Sequence, residues 1–274
     1  HQKRLLLSRE IAYRGGEISS LTMCGQTQSV YLGDYEGGLA LLHEAEELAE
    51  SESALMFSLL RLVQIYALLG DYQQAEVALT RLRQIDEQLV FATARAGQRL
   101  VAAILYNEQG GAERWHQVLA LADEVIAMGA NNPLLTQQYE IVVAYERTRA
   151  YLGLAQQVED TAARDEHLRA ALAASQAALD LFEQVGYLQV VECVSEAIFF
   201  AHSRALRANG EDAPAERYLR RAYDEMMRKH DLIPSEAEGS VFRRTYLENI
   251  PLHQAIRHAY EDADEGISVK NKRV

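Results

Sequence analysis

Leu32-Gly33-Asp34-Tyr35 recurs as Leu69-Gly70-Asp71-Tyr72, and this pair decides how the whole chain is read. The two glycines stand 37 residues apart, each between two runs of helix-forming residues. Glycine tolerates the left-handed backbone that ends a helix, and the aspartate after it can cap the start of the next. Each copy therefore predicts a helix–turn–helix hairpin. Weaker copies follow. Residues 106–110 lead into a run with Trp115, Leu119 and Ala122. Tyr151-Leu152-Gly153 leads, after an insertion at 156–166 rich in Gln, Asp and Ala, into residues 168–182. Residues 206–210 lead into Ala215, Leu219 and Ala222. Ala75, Leu79 and Leu82 show the same three- and four-residue spacing, which marks one buried face of a helix.

Composition agrees with a helical reading. Of 274 residues 49% are apolar, Pro is scarce at 4, and Ala, Leu, Glu, Gln and Arg recur throughout. These straight-chain residues lose little side-chain freedom in a helix. No stretch alternates as a run of strands would, so the expected class is all-α. The net charge of −13 argues against a nucleic-acid binder, which needs a basic face to displace counterions from phosphates. Cys24 and Cys193 give neither a disulfide framework nor a zinc spacing, and no apolar run reaches a membrane span. The expectation is a cytoplasmic protein with no membrane segment.

Leu32-Gly33-Asp34-Tyr35-Glu36 and Leu69-Gly70-Asp71-Tyr72-Gln73-Gln74-Ala75 resemble the inter-helix turn of tetratricopeptide repeats, whose period is about 34 residues. The resemblance implies a right-handed superhelix of stacked antiparallel hairpins, an α-solenoid, over residues 1–274. Its units would be a partial repeat at 1–15, repeats at 18–50, 52–89, 90–129, 132–185 (with the insertion) and 187–231, capping helices at 236–264 and a tail at 265–274. Gly38 departs from the family's usual Ala, and Trp115 takes the equivalent place in the third unit.

The two ends carry further expectations. Residues 4–11 resemble the end of a second helix, so the chain reads as a piece of a larger protein that begins half-way through a repeat. Residues 240–251 contain Arg243-Arg244-Thr245-Tyr246-Leu247-Glu248-Asn249-Ile250-Pro251. That run is similar to the closing segment of repeat arrays in large bacterial signalling proteins of the STAND type. There the array follows a switch ATPase, cyclase, kinase or transcription-factor module. Phe242, Tyr246 and Ile250 are spaced to share a helical face, and Pro251 can open the next helix.

Catalytic motifs fail on inspection. Gly33 and Gly38 have the glycine spacing of a phosphate-cradling loop, but Leu39 stands where the lysine is required. His253 and His258 are five apart, not the four that puts two ligands on one helix face, and the histidines are expected at the surface or the edge of the core. Glu192 and Glu196 are four apart and are expected to form a solvated face. Cys24 is expected to be a small core residue. No catalytic residue, cofactor or metal site is expected.

In a stack of hairpins the first helices line the concave side. Sliding the repeat register along the chain places Thr27, Val30 and Tyr31, then Gln64, then Asn107 and Glu108, then Arg149, Arg204 and Arg207 on that side. The three arginines suit an acidic peptide segment or a ligand carboxylate. The competing reading is that they pair with glutamates on their own helices. Tyrosines 66, 106, 139, 145 and 151 fall in first helices, where each either packs in the core or supplies contact area in the groove. The resulting expectation is a non-catalytic protein- or peptide-binding scaffold, the C-terminal sensor of a larger signalling or transcriptional regulator, coupled to an upstream domain of the same polypeptide. The alternatives are a free-standing receptor for a peptide or small molecule and, last, an all-α enzyme.

Overall fold

In the computed structural model the two Leu-Gly-Asp-Tyr turns are built alike. Gly33 and Gly70 take the left-handed backbone, at φ 71° and 75°, which costs little only without a Cβ. Asp34 then accepts a hydrogen bond from the Gly37 amide and Asp71 one from the Gln74 amide, both at 3.1 Å. Each satisfies an amide that the first turn of a helix leaves open. The structure describes residues 1–86, 92–129, 136–188, 190 and 192–271, and among these there is no strand.

The helices are α1 (Gln2–Glu10), α2 (Arg14–Gln26), α3 (Tyr35–Leu48), α4 (Glu52–Leu68), α5 (Tyr72–Asp86), α6 (Ala92–Gln109) and α7 (Ala112–Gly129). They continue as α8 (Thr136–Gln157), α9 (Thr161–Gln184), α10 (Ser195–Ala208), α11 (Asp212–Leu232), α12 (Ala237–Glu248) and α13 (Pro251–Asn271). A π-helical turn, Thr27–Tyr31, joins α2 to the first Leu-Gly turn. Successive helices pack as hairpins: α2 with α3, α4 with α5, α6 with α7, α8 with α9 and α10 with α11. The first helix of each hairpin also lies on the first helix of the next, so α2, α4, α6, α8 and α10 form an inner row.

The expected unit boundaries at 87–91 and 130–135 lie outside the described residues. The insertion at 156–166 is mostly helical. It comprises the end of α8, a short connection and the first turns of α9, where Asp160 caps the helix by accepting from the Ala163 amide at 2.8 Å. The segment expected as a tail from 265 is helical as far as Asn271.

Both departures from the repeat pattern have steric causes. A Cβ on Gly38 would sit 1.8 Å from Ser29 Oγ and 2.7 Å from the Gly25 carbonyl oxygen. No alanine fits there, because the π-helical turn brings the backbone of α2 against α3. In the third unit the large residue is met by a small one. Trp115 on α7 lies over Gly153 on α8, where a Cβ would come within 2.3 Å of the indole.

Two large apolar clusters fill the seams. One holds Leu42, Leu59, Leu62, Ile65, Leu79, Leu82 and Val118. The other holds Leu100, Ile141, Phe182, Phe199, Met226 and Ile256. Tyr246 and Ile250 are buried in the second, with Phe242 packed against it, so the face read from their spacing is real. Pro251 opens α13.

The polar residues of that C-terminal run draw the two halves of the chain together. Arg243 donates through Nε to the Ile233 carbonyl at 2.7 Å, covering an open carbonyl just past α11. Tyr246 donates to the Met226 carbonyl at 3.1 Å. Thr245 Oγ1 donates to the Leu32 carbonyl at 2.6 Å, and Asn249 Nδ2 to the Gly33 carbonyl at 2.9 Å. The C-terminal hairpin thus grips the first Leu-Gly turn, 213 residues away along the chain.

Candidate functional site: a cavity inside the inner row

Because α12 and the residues just after it meet the first turn, the inner row borders a cavity of about 620 Å³, partly open to solvent. Its wall follows helical spacing. Gln64 and Leu68 come from α4, Ile104 and Glu108 from α6, Tyr145, Glu146, Arg149 and Leu152 from α8, and Glu196, Ala197, Phe200, Ala201 and Arg204 from α10. Val30 and Tyr31 on the π-helical turn, Lys229 and Leu232 on α11, and Tyr246, Ile250 and His253 near the C-terminus complete most of it. Most of the wall is apolar.

Of the residues read from the repeat register, Val30, Tyr31, Gln64, Glu108, Arg149 and Arg204 are brought together on this wall. Three are placed elsewhere. Thr27 turns back to donate to the Met23 carbonyl at 2.7 Å. Asn107 is buried behind the wall and donates to Glu146, at 3.0 Å to its carbonyl and 2.6 Å to its carboxylate. Arg207, in the last turn of α10, is exposed and does not border the cavity.

The two readings of the arginines divide residue by residue. Arg149 is paired, donating to Glu108 at 2.6 Å and to Glu146, one turn earlier on its own helix, at 3.2 Å. Burial alone would lower its pKa, but Glu146, Tyr145 and Glu108 together raise it. Two carboxylates share this one guanidinium. The deeper of them, Glu146, is pushed upward by burial in spite of Arg149 and Asn107. Arg204, by contrast, makes no hydrogen bond or ion pair with any described residue. Its side chain is reached by solvent, yet surrounding protein lowers its pKa, chiefly by desolvation and further through the like charge of Arg149. That combination belongs to a cation in a recess partly open to solvent.

A second polar group on the wall escaped the sequence reading. Glu192 and Glu196 do not form a solvated face, because residue 192 precedes α10, which begins at Ser195, so the four-residue spacing is not helical. Glu192 pairs with Arg61 at 3.0 Å, both mostly buried. Glu196 is 1% exposed and accepts from Lys229, from His253 Nε2 at 3.1 Å and from Ser195 at 3.2 Å. Burial pushes its pKa up, but the His253 hydrogen bond and the Lys229 charge outweigh it and hold it down at about 2. His253 is fixed on its other side by the Tyr246 carbonyl at 2.7 Å.

Two of the histidines also need correction. His253 and His202 are each 2% exposed, well inside rather than at the edge of the core. His202 Nδ1 lies 2.9 Å from Ser175 Oγ, with the Tyr218 ring edge-on at 4.5 Å. Of the tyrosines, Tyr106 is in the core, Tyr66 bonds His43 at 3.0 Å, and Tyr145 is on the cavity wall. Both cysteines are buried thiols outside any disulfide, and burial raises the pKa of each, Cys193 by the larger amount.

No protein-family model matches the chain, and no curated protein matches its sequence with significance. No described helix is long and apolar enough to cross a membrane. The chain is all-α over its described residues, with helices paired as a helical repeat array requires.

Proposed function

We propose that this chain is a binding module of the tetratricopeptide-repeat kind, a stack of hairpins wound so that its concave side forms the central cavity, and that it acts by holding a ligand there. The observation that carries this reading is the convergence of register positions from five inner segments, Tyr31, Gln64, Glu108, Arg149 and Arg204, on one wall. A volume of about 620 Å³ falls within the range of about 300–1,000 Å³ usual for small-ligand sites. It suits a small molecule or the end of a peptide better than a long extended segment.

Binding fits the wall chemistry better than catalysis. Glu108, Glu146, Glu192 and Glu196 are each engaged by a cation, and a carboxylate held at about 2 is a poor base near neutral pH. As the sensor of a larger signalling or transcriptional regulator, the module would pass on ligand binding through the grip of the C-terminal hairpin on the first turn. That grip depends on how the intervening hairpins are curved.

Native mass spectrometry of the chain after incubation with extract of its native cells tests the proposal. Ala201→Trp, which fills the cavity, should lose a bound species that the parent and Arg207→Ala retain, while keeping its helical circular dichroism. Equal retention by Ala201→Trp would place binding outside the cavity.

A further inference from the structure

Among the described residues, every charge on the cavity wall has a partner except one. Glu108 and Glu146 share Arg149, Glu192 has Arg61, and Glu196 has Lys229 and His253. Arg204 remains with no partner among the described residues. A guanidinium carries five donors in a planar fork that matches a carboxylate. In a recess partly open to solvent these donors are available to an anion.

A neutral donor stands beside it. Tyr145, on α8, also borders the cavity, and its hydroxyl makes no hydrogen bond with any described residue. It is near enough to act electrostatically on Arg204. Burial raises its pKa, so the phenol keeps its proton. A cation and an O–H donor, both uncommitted, are what a single carboxylate needs at one end.

The rest of the wall states what the other end must be. Val30, Leu68, Ile104, Leu152, Phe200 and Ile250 are apolar. The remaining polar side chains are largely spent on one another, so a peptide backbone would find few partners for its amides and carbonyls. A phosphate dianion would call for more than one uncompensated cation. An uncharged apolar molecule would leave Arg204 desolvated and unpaired.

The geometry points to the central cavity as a receptor site for an amphiphile with one carboxylate and an apolar body, its carboxylate held by Arg204 and the Tyr145 hydroxyl. The assignment rests on the cavity being the binding site, and it adds the ligand class and the anchoring residues. The bond is a charge-assisted one, reversible and without covalent chemistry.

Isothermal titration of the whole chain with decanoate, and with decanol as its neutral counterpart, tests it. Decanoate should bind the parent with one site. Arg204→Gln should weaken it roughly 10- to 100-fold, the effect of losing a charged hydrogen bond. Arg204→Lys should restore part of the loss, and Tyr145→Phe should cost a smaller factor. Arg207→Gln, outside the cavity, should bind as the parent does. Decanol should bind the parent no better than decanoate binds Arg204→Gln. Equal affinity of decanoate for the parent and Arg204→Gln would overturn the anchor, and no binding to the parent would overturn the ligand class. If decanoate fails while Ala201→Trp still abolishes capture of a native species, the cavity reading stands and the carboxylate assignment alone falls. If decanoate binds but ignores Ala201→Trp, both fall.

Discussion

Acid should destabilise this protein through His202 once the pH falls below 6.5. Burial lowers the pKa of His202 from an ordinary 6.5 to about 4, against a weaker upward pull from Asp180. The folded chain therefore binds fewer protons than the unfolded chain between those two values, and stability rises with pH across the window. The contribution is complete above 6.5 and is lost as pH falls through 4. One unit corresponds to about 1.36 kcal/mol. Lowering the pH from 7.5 to 5 should thus remove about 2 kcal/mol through this group. The comparison is with His202→Asn, whose amide can still meet Ser175 Oγ, now 2.9 Å from the imidazole, but cannot titrate. That variant should be weaker at both pH values by a constant amount, having lost the ring contact with Tyr218. Urea unfolding at pH 7.5 and 5 measures both chains. The parent should lose about 2 kcal/mol more than the variant over this interval. Parallel losses, agreeing within about 0.5 kcal/mol, would refute the reasoning, as would an imidazole that titrates near 6.5 by nuclear magnetic resonance.

Gly153→Ala should destabilise by about 1–3 kcal/mol through overpacking, although alanine is the better helix former by about 1 kcal/mol. Trp115 is the chain's single tryptophan, so its emission should shift with the displaced indole, and Trp115→Leu should recover most of the loss. A stabilised Gly153→Ala would count against the contact. Replacing Thr245 by Val and Asn249 by Ala together should cost about 2 kcal/mol of closure, one hydrogen bond each. In a Cys24→Ser background the buried Cys193 thiol should then react roughly 10-fold or more faster with a disulfide reagent, and an unchanged rate would show that the grip is not what shields it. Glu196→Gln should cost about 3 kcal/mol, since it removes the buried carboxylate that pairs with Lys229 and bonds His253, and thermal unfolding would register the drop. A loss under about 0.5 kcal/mol would mean that the cluster holds nothing together.

The helical class and the turn chemistry were legible because they are local. Gly70 and Asp71 act within a few residues of themselves, and the spacing of Ala75, Leu79 and Leu82 reports a face without reference to any partner. The cavity wall was legible where it followed the repeat: Gln64, Arg149 and Arg204 are one inner face seen in successive hairpins. It was illegible where the partner comes from far along the chain. Nothing near Glu196 announces Lys229 or His253, and Arg61 meets Glu192 across 131 residues. The register also cannot tell a residue on the wall from one just behind it, which is why Asn107 and Glu108 part company. It left both readings of the arginines open and could not say that Glu146 would claim Arg149 while Arg204, on the next inner helix, has no carboxylate among the described residues.

The grip of Thr245 and Asn249 on Leu32 and Gly33 changes what kind of system the hairpins form. In an open stack each unit answers only to its neighbours, so a disturbance fades with distance and small errors in tilt accumulate harmlessly towards a free end. Joining a late unit to an early one imposes a circular boundary condition on everything between. The tilts must sum to a fixed value for the two hydrogen bonds to form, so the joint checks the geometry of every intervening hairpin at once. A change in angle at α8, such as a substitution there would bring, cannot be absorbed locally. It must be shared around the ring or expressed as rupture at the joint.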